Sequence, residues 1–479
     1  MSTICCPKKS QAVYRPRKPE KTVLFELIKK NYKTWHKNSG IPVPKYVENE
    51  FQKFLECGIL AKGFALAHCS DCHKEFALAF SCKGRGLCPS CNTKAMVETA
   101  ANLVENVNSH VPVRQFVISF PMRIRHYFQT HKILQAVLRI VVDEIRKRLI
   151  VCGPDLPDPK IGAITFIQHF GKTLNYHPHF HLIVADGLFS TDSDDILFHP
   201  ASLTQDDIAD TEDCIRKRVM RYFGKRGGID KETIKRMASY ENSGFSLNAN
   251  VRIASWDRKS LERLIRYCAR PCFASENLRW NGPWVHYRLP KPTHTGKTFI
   301  QLDPLEFIER ISHFIPYPRR HRRHYHGVFA PNSPMRKKLA VSAQKCPKSS
   351  IPPDVQESVE KIEKVSLSWA KLIARIYEVN PLLCACGKEM KIVAIVTHPA
   401  EIKKILYGIG WPTEVPEFDP PYDLPDRDIC QLLFWSEDGF SPDETAAQIT
   451  AGGPDPPLLE SYSDPPHSDD HSDPPFWEE

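Results

Sequence analysis

The sequence of 479 residues lacks any apolar run long enough to cross a lipid bilayer. Such a run needs about 18 residues or more, and even the apolar stretch 133–142 is interrupted by Gln135 and Arg139. The N-terminus has Cys5, Cys6 and several lysines where a signal peptide would have an apolar core. We therefore predict a cytoplasmic protein without a transmembrane helix.

Acidic residues are scarce relative to basic ones over most of the chain, and basic residues are nearly absent from its end. The segment from Trp411 onward contains 18 acidic residues and one basic residue, Arg427. The preceding 410 residues carry 64 basic and 38 acidic residues, a balance typical of proteins that bind a polyanion such as nucleic acid. We predict that the acidic, proline-rich segment 411–479 is largely disordered.

Sixteen cysteines in a chain without a secretory signal indicate metal ligands before disulfides. Two C-x-x-C pairs, Cys69 with Cys72 and Cys88 with Cys91, are separated by 15 residues, the spacing of a structural zinc site. Four thiolates can close a tetrahedron around Zn²⁺, so we predict structural zinc at these four cysteines. His68, His73 and Cys82 are nearby alternative ligands. The isolated cysteines predicted to be ordinary thiols are Cys57, Cys152, Cys214, Cys346 and Cys430.

The spacing of apolar residues predicts a mixture of helices and strands, and hence an α+β fold. The predicted helices span residues 22–35, 44–57, 93–107, 130–149, 205–223, 257–270, 304–314 and 361–379. The predicted strands span residues 114–120, 161–170, 179–185, 245–254, 284–289 and 297–302. The strands 161–170 and 179–185 are predicted to form an antiparallel hairpin.

The predicted strand 179–185 carries two histidines on one face. Side chains alternate along a strand, so His179 and His181 point the same way while Phe180 points to the other face. Two imidazoles on one face are preset nitrogen ligands for a divalent cation. A third protein ligand is needed, and the candidates are Gln168 on the preceding strand and His177, which has the same parity as the pair.

The predicted helix 257–270 displays Tyr267 between two arginines. Arg263 lies one turn before it and Arg270 about one turn after it. A phenol has a pKa of about 10 and is a poor nucleophile, but flanking guanidiniums favour the phenolate and bind phosphate. Attack on a phosphodiester would form a phosphotyrosine and release a hydroxyl end.

These motifs together resemble those of rolling-circle transposases. Residues 164–171 and 179–187 are similar to their His-hydrophobe-His region, and residues 266–271 are similar to their nucleophile helix. Residues 324–331 resemble a signature downstream of that helix, and the paired cysteines resemble their N-terminal zinc-binding domain. The resemblance, to bacterial insertion-sequence-common-region transposases, covers roughly residues 20–400.

The resemblance implies an HUH nuclease domain, in which helices flank a central antiparallel sheet with the histidine strand in the middle. It implies nicking of single-stranded DNA at an element end through a 5′-phosphotyrosine on Tyr267. The catalytic ion would be magnesium or manganese, held by His179, His181 and the third ligand. Nitrogen ligands suit manganese, whereas cellular supply favours magnesium.

With that resemblance, the chain is predicted to have five parts. They are a helical and zinc-ribbon DNA-binding domain at 1–110, the nuclease domain at 111–290, a basic extension at 291–345, a C-terminal helical segment at 346–410 and the acidic tail at 411–479. In the basic extension, Arg319, Arg320, Arg322 and Arg323 are predicted to follow DNA phosphates, with Tyr325 stacking on a base.

Two features depart from the family pattern. Some relatives use two tyrosines four residues apart, whereas Arg263 stands one turn before Tyr267 here, which predicts a single nucleophile. Relatives tend to have a further C-x-x-C pair near the C-terminus, but Cys384 and Cys386 are separated by one residue, so the spacing does not predict a second zinc site.

Two other functions fit the same residues. A plasmid or phage replication initiator or a relaxase would use the same nuclease chemistry, and the DNA that flanks the gene would distinguish it from a transposase. A non-catalytic zinc-containing DNA-binding protein would bind DNA independently of His179, His181 and Tyr267.

Overall fold

A computed structural model describes residues 18–342 and 382–414, apart from residues 41, 109, 193, 194, 227, 294 and 409. The predicted helix 361–379 and nearly all of the predicted acidic tail lie outside the described residues. Within the described ranges the chain is α+β, as predicted, with mixed helices and antiparallel strands.

Two amphipathic helices open the chain, α1 (Val23–Asn38) and α2 (Lys45–Glu56). The Thr22 hydroxyl accepts a hydrogen bond from the Phe25 amide at 3.3 Å and caps α1. The apolar faces of both helices share one core with α9 (Pro304–Ser312), and the Trp35 indole donates to the Glu309 carboxylate. The predicted N-terminal domain is therefore not an independent unit, because its core continues into residues beyond 272.

A small sheet joins the two ends of the described chain. Strands β1 (Phe64–His68) and β2 (Glu75–Ala79) form a hairpin, and β14 (Lys391–Val396) pairs antiparallel with β1. Helix α11 (Pro399–Gly408) buries Ile402 and Leu406 against this sheet. The predicted C-terminal segment 346–410 is thus in part a strand of the N-terminal sheet.

Helix α3 (Pro89–Asn102) continues as a π-helical turn, Leu103–Val107, and leads into the central sheet. That sheet has the strand order β13-β4-β5-β3-β8, and β9 also pairs with β3. The strands are β3 (Val113–Ser119), β4 (Gly162–Phe170), β5 (Tyr176–Ala185), β8 (Ser246–Asn248), β9 (Arg252–Ile253) and β13 (Arg323–Gly327). The predicted hairpin of β4 and β5 is present, and β5 lies in the middle of the sheet.

Each face of β5 packs against a different layer. Phe180, Leu182 and Val184 share a core with α5 (His131–Cys152) and α6 (Gln205–Lys225), as the alternation predicted. The opposite face is also covered, because Ile183 packs with residues of α8 (Arg258–Cys268), α10 (Pro334–Ser342) and the π-helical turn. The histidines therefore lie inside the fold, under α8.

The remaining elements form local units. Helix α4 (Met122–Arg125) follows β3, and α7 (Lys231–Ala238) follows α6. Strands β6 (Gly187–Asp192) and β7 (Asp195–Pro200) form a hairpin, and β10 (Leu278–Asn281), β11 (Trp284–Arg288) and β12 (Phe299–Leu302) form a three-stranded sheet.

Two predicted boundaries differ from the structure. The predicted strand 245–254 is divided into β8 and β9, because the Asn248 side chain accepts from the Asn250 amide at 3.2 Å and turns the chain between them. The predicted nuclease boundary at residue 290 is too early, because β13 pairs with β4 and completes the sheet.

Candidate functional site

The β4–β5 pair brings the predicted metal ligands together. Gln168 lies directly opposite His179 in the ladder, and His181 lies opposite Phe166. His179 is 4% exposed, His181 is fully buried and Gln168 is 3% exposed. The two histidine rings have their centroids 5.0 Å apart, so three ligand side chains occupy one small region under α8.

Helix α8 places Tyr267 beside these histidines. The Asp257 carboxylate accepts from the Ser260 amide at 3.0 Å and starts the helix, which buries Leu261, Leu264, Ile265 and Cys268. The Tyr267 ring meets the His181 ring edge to face, with centroids 5.5 Å apart and planes at 90°. The predicted nucleophile and the predicted metal ligands are therefore neighbours in space.

Gln168 connects the strand to the end of that helix. Its amide nitrogen donates to the carbonyl oxygens of Tyr267 at 3.3 Å and Cys268 at 2.9 Å. Its amide oxygen is buried and makes no hydrogen bond with a described residue. A buried acceptor without a donor is costly, and a cation would satisfy it.

The histidines offer matching nitrogen atoms. The His179 Nδ1 atom lies 2.8 Å from the His177 carbonyl oxygen, which fixes the proton on Nδ1 and leaves the lone pair on Nε2. The His181 Nε2 atom is buried and makes no hydrogen bond with a described residue. Together with the Gln168 oxygen, these atoms fit the donor set of a divalent metal ion.

Burial keeps these imidazoles neutral, as metal ligation requires. The pKa of His179 is lowered to about 3, chiefly by burial and in smaller part by the charges of Arg270 and Arg125. Burial also holds the pKa values of His177 and His181 well below the usual range. His177 lies beside His179, with 5.2 Å between ring centroids, so it remains the alternative to Gln168.

Only one of the two predicted flanking arginines lies at the phenol. The Arg270 guanidinium lies over the Tyr267 ring, 4.7 Å from its centroid. Arg263 is exposed and makes no hydrogen bond, ion pair or ring contact with another described residue. Burial raises the pKa of Tyr267, and the charge of Arg270 offsets part of that rise.

Two residues near the site were not found from the sequence. Gln115, on β3, places its amide nitrogen 3.0 Å from His181 Nδ1 and 3.4 Å from Cys268 Sγ. A metal ion bound to His181 Nε2 requires the ring proton to lie on Nδ1. The Gln115 side-chain amide would then accept a hydrogen bond from Nδ1 through its oxygen, after a half-turn that exchanges the positions of the amide oxygen and nitrogen.

Arg125, the other missed residue, is a cation without an acidic partner. Its Nε donates to the Phe120 carbonyl at 2.8 Å, and it forms no ion pair with a described residue. Burial lowers the pKa of Arg125 to about 10. The charge of Arg125 is the second-largest cause, after burial, of the lowered pKa of His177. A half-buried guanidinium near the histidines is suited to bind an anionic substrate group.

The predicted basic run divides between the interior and the surface. Arg319 is exposed, and the Arg320 guanidinium lies over the Tyr317 ring at 4.5 Å. Arg323 is buried and donates to the Thr99 hydroxyl at 2.8 Å. The prediction that Tyr325 stacks on a base is wrong, because this side chain is 3% exposed and belongs to the core under β13.

The four cysteines predicted to form one zinc site lie in two separate clusters, which corrects that prediction. The inner cluster consists of Cys57, Cys82, Cys88 and Cys91, and the outer cluster of Cys69, Cys72, Cys384 and Cys386. The physical reason is the β1–β2 hairpin. A strand of five residues spans about 17 Å, and Cys69 and Cys72 lie at the tip whereas Cys82 lies at the base, beside the end of α2.

Both clusters have the spacing of a four-thiolate zinc site. Tetrahedral zinc with Zn–S bonds of about 2.3 Å separates the sulfur atoms by about 3.8 Å. In the inner cluster, Cys57 and Cys91 have Sγ atoms 3.6 Å apart, and Cys82 and Cys91 have them 3.4 Å apart. In the outer cluster the corresponding distances are 3.6 Å for Cys69 with Cys386 and 3.3 Å for Cys72 with Cys384.

Backbone amides favour the thiolate form of one cysteine of the outer cluster. The amides of Cys72 and Asp71 lower the pKa of Cys69 to about 6, which favours the thiolate that zinc needs.

In the described part of the chain, the helices are too short or too polar to span a membrane.

Two family models match the chain. Residues 27–120 match a transposase zinc-binding domain of the IS91 type, which contains the inner cluster and half of the outer one. Residues 162–337 match a family described as "Putative transposase", a range that includes Gln168, His179, His181 and Tyr267. No match was found among curated proteins or among solved structures. The two matches together support the assignment of the chain to the IS91-like rolling-circle transposases with an N-terminal zinc-binding domain.

Proposed function

We propose that this transposase nicks single-stranded DNA at the ends of its element by attack of Tyr267, forming a 5′-phosphotyrosine intermediate that serves rolling-circle transposition. The observation that carries the proposal is the contact of the Tyr267 ring with His181, at 5.5 Å between centroids. The phenol shares this region with two buried acceptor atoms, on Gln168 and His181, that make no hydrogen bond with described residues.

The proposed reaction exchanges one phosphoester bond for another. The Tyr267 phenol loses its proton to solvent, and its oxygen forms a bond to the scissile phosphorus while the bond to the O3′ atom breaks. The released O3′ takes up a proton and leaves as a hydroxyl end, and the phosphoester energy is kept in the protein–DNA bond. Arg270, over the ring, stabilises the phenolate and binds a phosphate oxygen.

His179, His181 and Gln168, with His177 as the alternative third ligand, would hold a magnesium or manganese ion. When bound, such an ion polarises the scissile phosphate and offsets charge on the leaving oxygen. Gln168 also positions the nucleophile, because it donates to the carbonyls of Tyr267 and Cys268. Arg125, whose charge acts on His177 and His179, would bind the phosphate from the His177 side.

The proposal assigns one structural zinc ion to each cysteine cluster. Both sets of sulfur atoms have the spacing of a closed tetrahedral site, which leaves no open position for chemistry. The outer cluster includes Cys384 and Cys386, which the one-residue spacing did not favour as ligands. Cys57 and Cys82 complete the inner cluster in place of the more distant C-x-x-C pair.

The test is a covalent-adduct assay. The full chain is incubated with manganese and labelled single strands that carry the element ends, and the products are separated under denaturing conditions. We expect an adduct with the wild type and with Tyr240→Phe, an exposed tyrosine. Tyr267→Phe should lower adduct formation by at least about 10³-fold, because no other described tyrosine ring contacts a predicted metal-ligand histidine in this way.

Several outcomes would reject parts of the proposal. An undiminished adduct with Tyr267→Phe would reject Tyr267 as the nucleophile. An adduct that forms equally with His181→Ala would reject the metal assignment. If no divalent ion supports nicking while DNA binding persists through all these changes, the protein is a non-catalytic DNA-binding relative. Nicking confined to a plasmid origin would favour a replication initiator.

A further inference from the structure

A cavity of about 230 Å³ lies between the zinc-binding region and the central sheet, next to the candidate catalytic site. Its wall includes Gln168 and Cys268, so it borders the residues that position Tyr267. Six basic side chains also line it, namely Lys83, Arg85, Arg270, His321, Arg322 and Arg323. No aspartate or glutamate is among the described residues of its wall.

Three separate parts of the chain supply these cations. Lys83 and Arg85 belong to the loop between Cys82 and Cys88 of the inner cluster. Arg270 follows the last turn of α8, and Arg322 immediately precedes β13. Since segments far apart in sequence converge here, the concentration of positive charge is a property of the fold rather than of one basic stretch.

Hydrogen bonds to oxygen atoms hold two of these guanidiniums in place. The Arg85 guanidinium donates to the Arg320 carbonyl, and the Arg85 amide donates to the Glu50 carboxylate at 2.8 Å. Arg323 donates to the Thr99 hydroxyl at 2.8 Å. A carbonyl and a hydroxyl oxygen therefore orient these two guanidiniums. The Glu50 carboxylate, whose charge acts on Arg322, also accepts from Lys53 at 3.2 Å.

Arg322 is the clearest case in this wall of a cation without a hydrogen-bond or ion-pair partner among the described residues. Burial and, next, the neighbouring charge of Arg85 lower the pKa of Arg322 to about 10, although the charge of Glu50 acts in the opposite direction. The Arg270 Nε atom is likewise buried without a hydrogen-bond partner among the described residues. Buried cations are normally paired, so this wall is suited to a bound anion.

We propose that the cavity binds a phosphate of the single-stranded DNA backbone adjacent to the scissile phosphate, and that the zinc-binding domain supplies Lys83 and Arg85 to it. The identity of the strand rests on the proposed function, whereas the anion site rests on the cavity alone. Zinc in the inner cluster would then have a direct consequence for DNA binding, because Cys82 and Cys88 fix both ends of the loop that carries these two residues.

The experiment measures binding separately from cleavage. The full-length chain with Tyr267→Phe, without divalent ions, is titrated against a fluorescent oligo-dT strand of about 12 nucleotides, a length typical of single-strand sites. The salt dependence of affinity is recorded for Arg322→Gln, Lys83→Gln and the control Arg221→Gln. Arg221 is exposed on α6 and lies outside the cavity, so the control removes the same charge from another surface.

We expect Arg322→Gln to weaken binding by about tenfold or more, as the loss of charged hydrogen bonds does. The slope of log affinity against log salt should fall by about 0.7 for each lost phosphate contact. Lys83→Gln should reduce the same slope with a smaller loss of affinity, and Arg221→Gln should leave the slope unchanged. Thermal unfolding of Arg322→Gln should not occur at a lower temperature, because the substitution removes a half-buried charge that has no ion-pair partner among the described residues.

Other results would overturn the proposal. If Arg322→Gln and Lys83→Gln both keep the wild-type slope, the cavity does not bind the strand. If inorganic phosphate raises the unfolding temperature through Arg322 but oligo-dT does not compete with it, the site takes free phosphate instead. Because the assay needs no cleavage, an absent covalent adduct would reject the nuclease chemistry while leaving this site intact, and the reverse also holds.

Discussion

Each of the two clusters consists of four cysteines, but the surroundings of the two clusters are very different. Within the inner cluster, Cys57, Cys88 and Cys91 are buried in the core that α1, α2 and α9 share. In the outer cluster, Cys386 is exposed, and the cluster packs against a core of only a few residues. The inner ligands lie within 34 residues of sequence, whereas Cys69 and Cys386 are 317 residues apart.

This difference indicates two structural roles for one kind of site. The inner cluster lies where the N-terminal helices meet the rest of the protein, and its loop reaches the basic cavity. The outer cluster joins the tip of the β1–β2 hairpin to residues 382–390, just before β14 pairs with β1. We infer that the inner cluster is needed for the fold, and that the outer cluster fastens the C-terminal strand to it.

The largest expected effect is the loss of an inner ligand. Cys91→Ser should unfold the N-terminal region, because structural zinc contributes about 10–16 kcal/mol of apparent binding free energy, as much as the whole stability of a typical domain. Zinc content should fall, and the thermal transition should become broad or disappear. Cys214→Ser, a half-buried cysteine outside both clusters, is the matched control. A Cys91→Ser protein with unchanged zinc content and unfolding temperature would contradict this role.

An outer ligand should have a smaller and local effect. In Cys386→Ser we expect one zinc ion to be lost per chain while the inner cluster keeps its own. The backbone amides of β14 should then exchange with solvent much faster, because few apolar contacts other than those of Ile402 and Leu406 hold this segment. The exchange rate of the β14 amides is measured by hydrogen exchange with mass spectrometry. If β4 and β5 lose protection as well, the two clusters do not differ in the way proposed.

The clusters also show what the sequence could predict and what it could not. The two C-x-x-C pairs predicted metal ligands, and all four cysteines lie in four-cysteine clusters, but spacing along the chain paired them wrongly. The hairpin between Cys69 and Cys82 separates tip from base, and Cys384 lies in the segment before β14, which no local pattern connects to residue 69. Which cysteines share an ion depends on strand pairing across more than 300 residues, about which sequence spacing carries no information.

The region of the central sheet, which we propose to be the nuclease, was easier to predict because its signals are local. The alternation of side chains along the strand predicted which residues of β5 share a face. The helical spacing of apolar residues predicted that Tyr267 lies outside the buried stripe of α8. Gln115 and Arg125 escaped notice because their roles depend on contacts between elements. Gln115 reaches His181 across neighbouring strands, and Arg125 acts on the histidines from the turn after β3.

The smallest expected effect sharpens the account of the outer cluster. Lys388 and Asp71 form an ion pair at 3.5 Å between its two halves, with side chains 66% and 47% exposed. Such exposed pairs contribute at most about 1 kcal/mol and are screened by salt. Lys388→Gln should therefore change the hydrogen exchange of β14 very little, and less still at high salt. If it releases β14 as fully as Cys386→Ser does, charge rather than thiolate ligation holds the C-terminal strand, and the comparison between the two clusters would have to be redrawn.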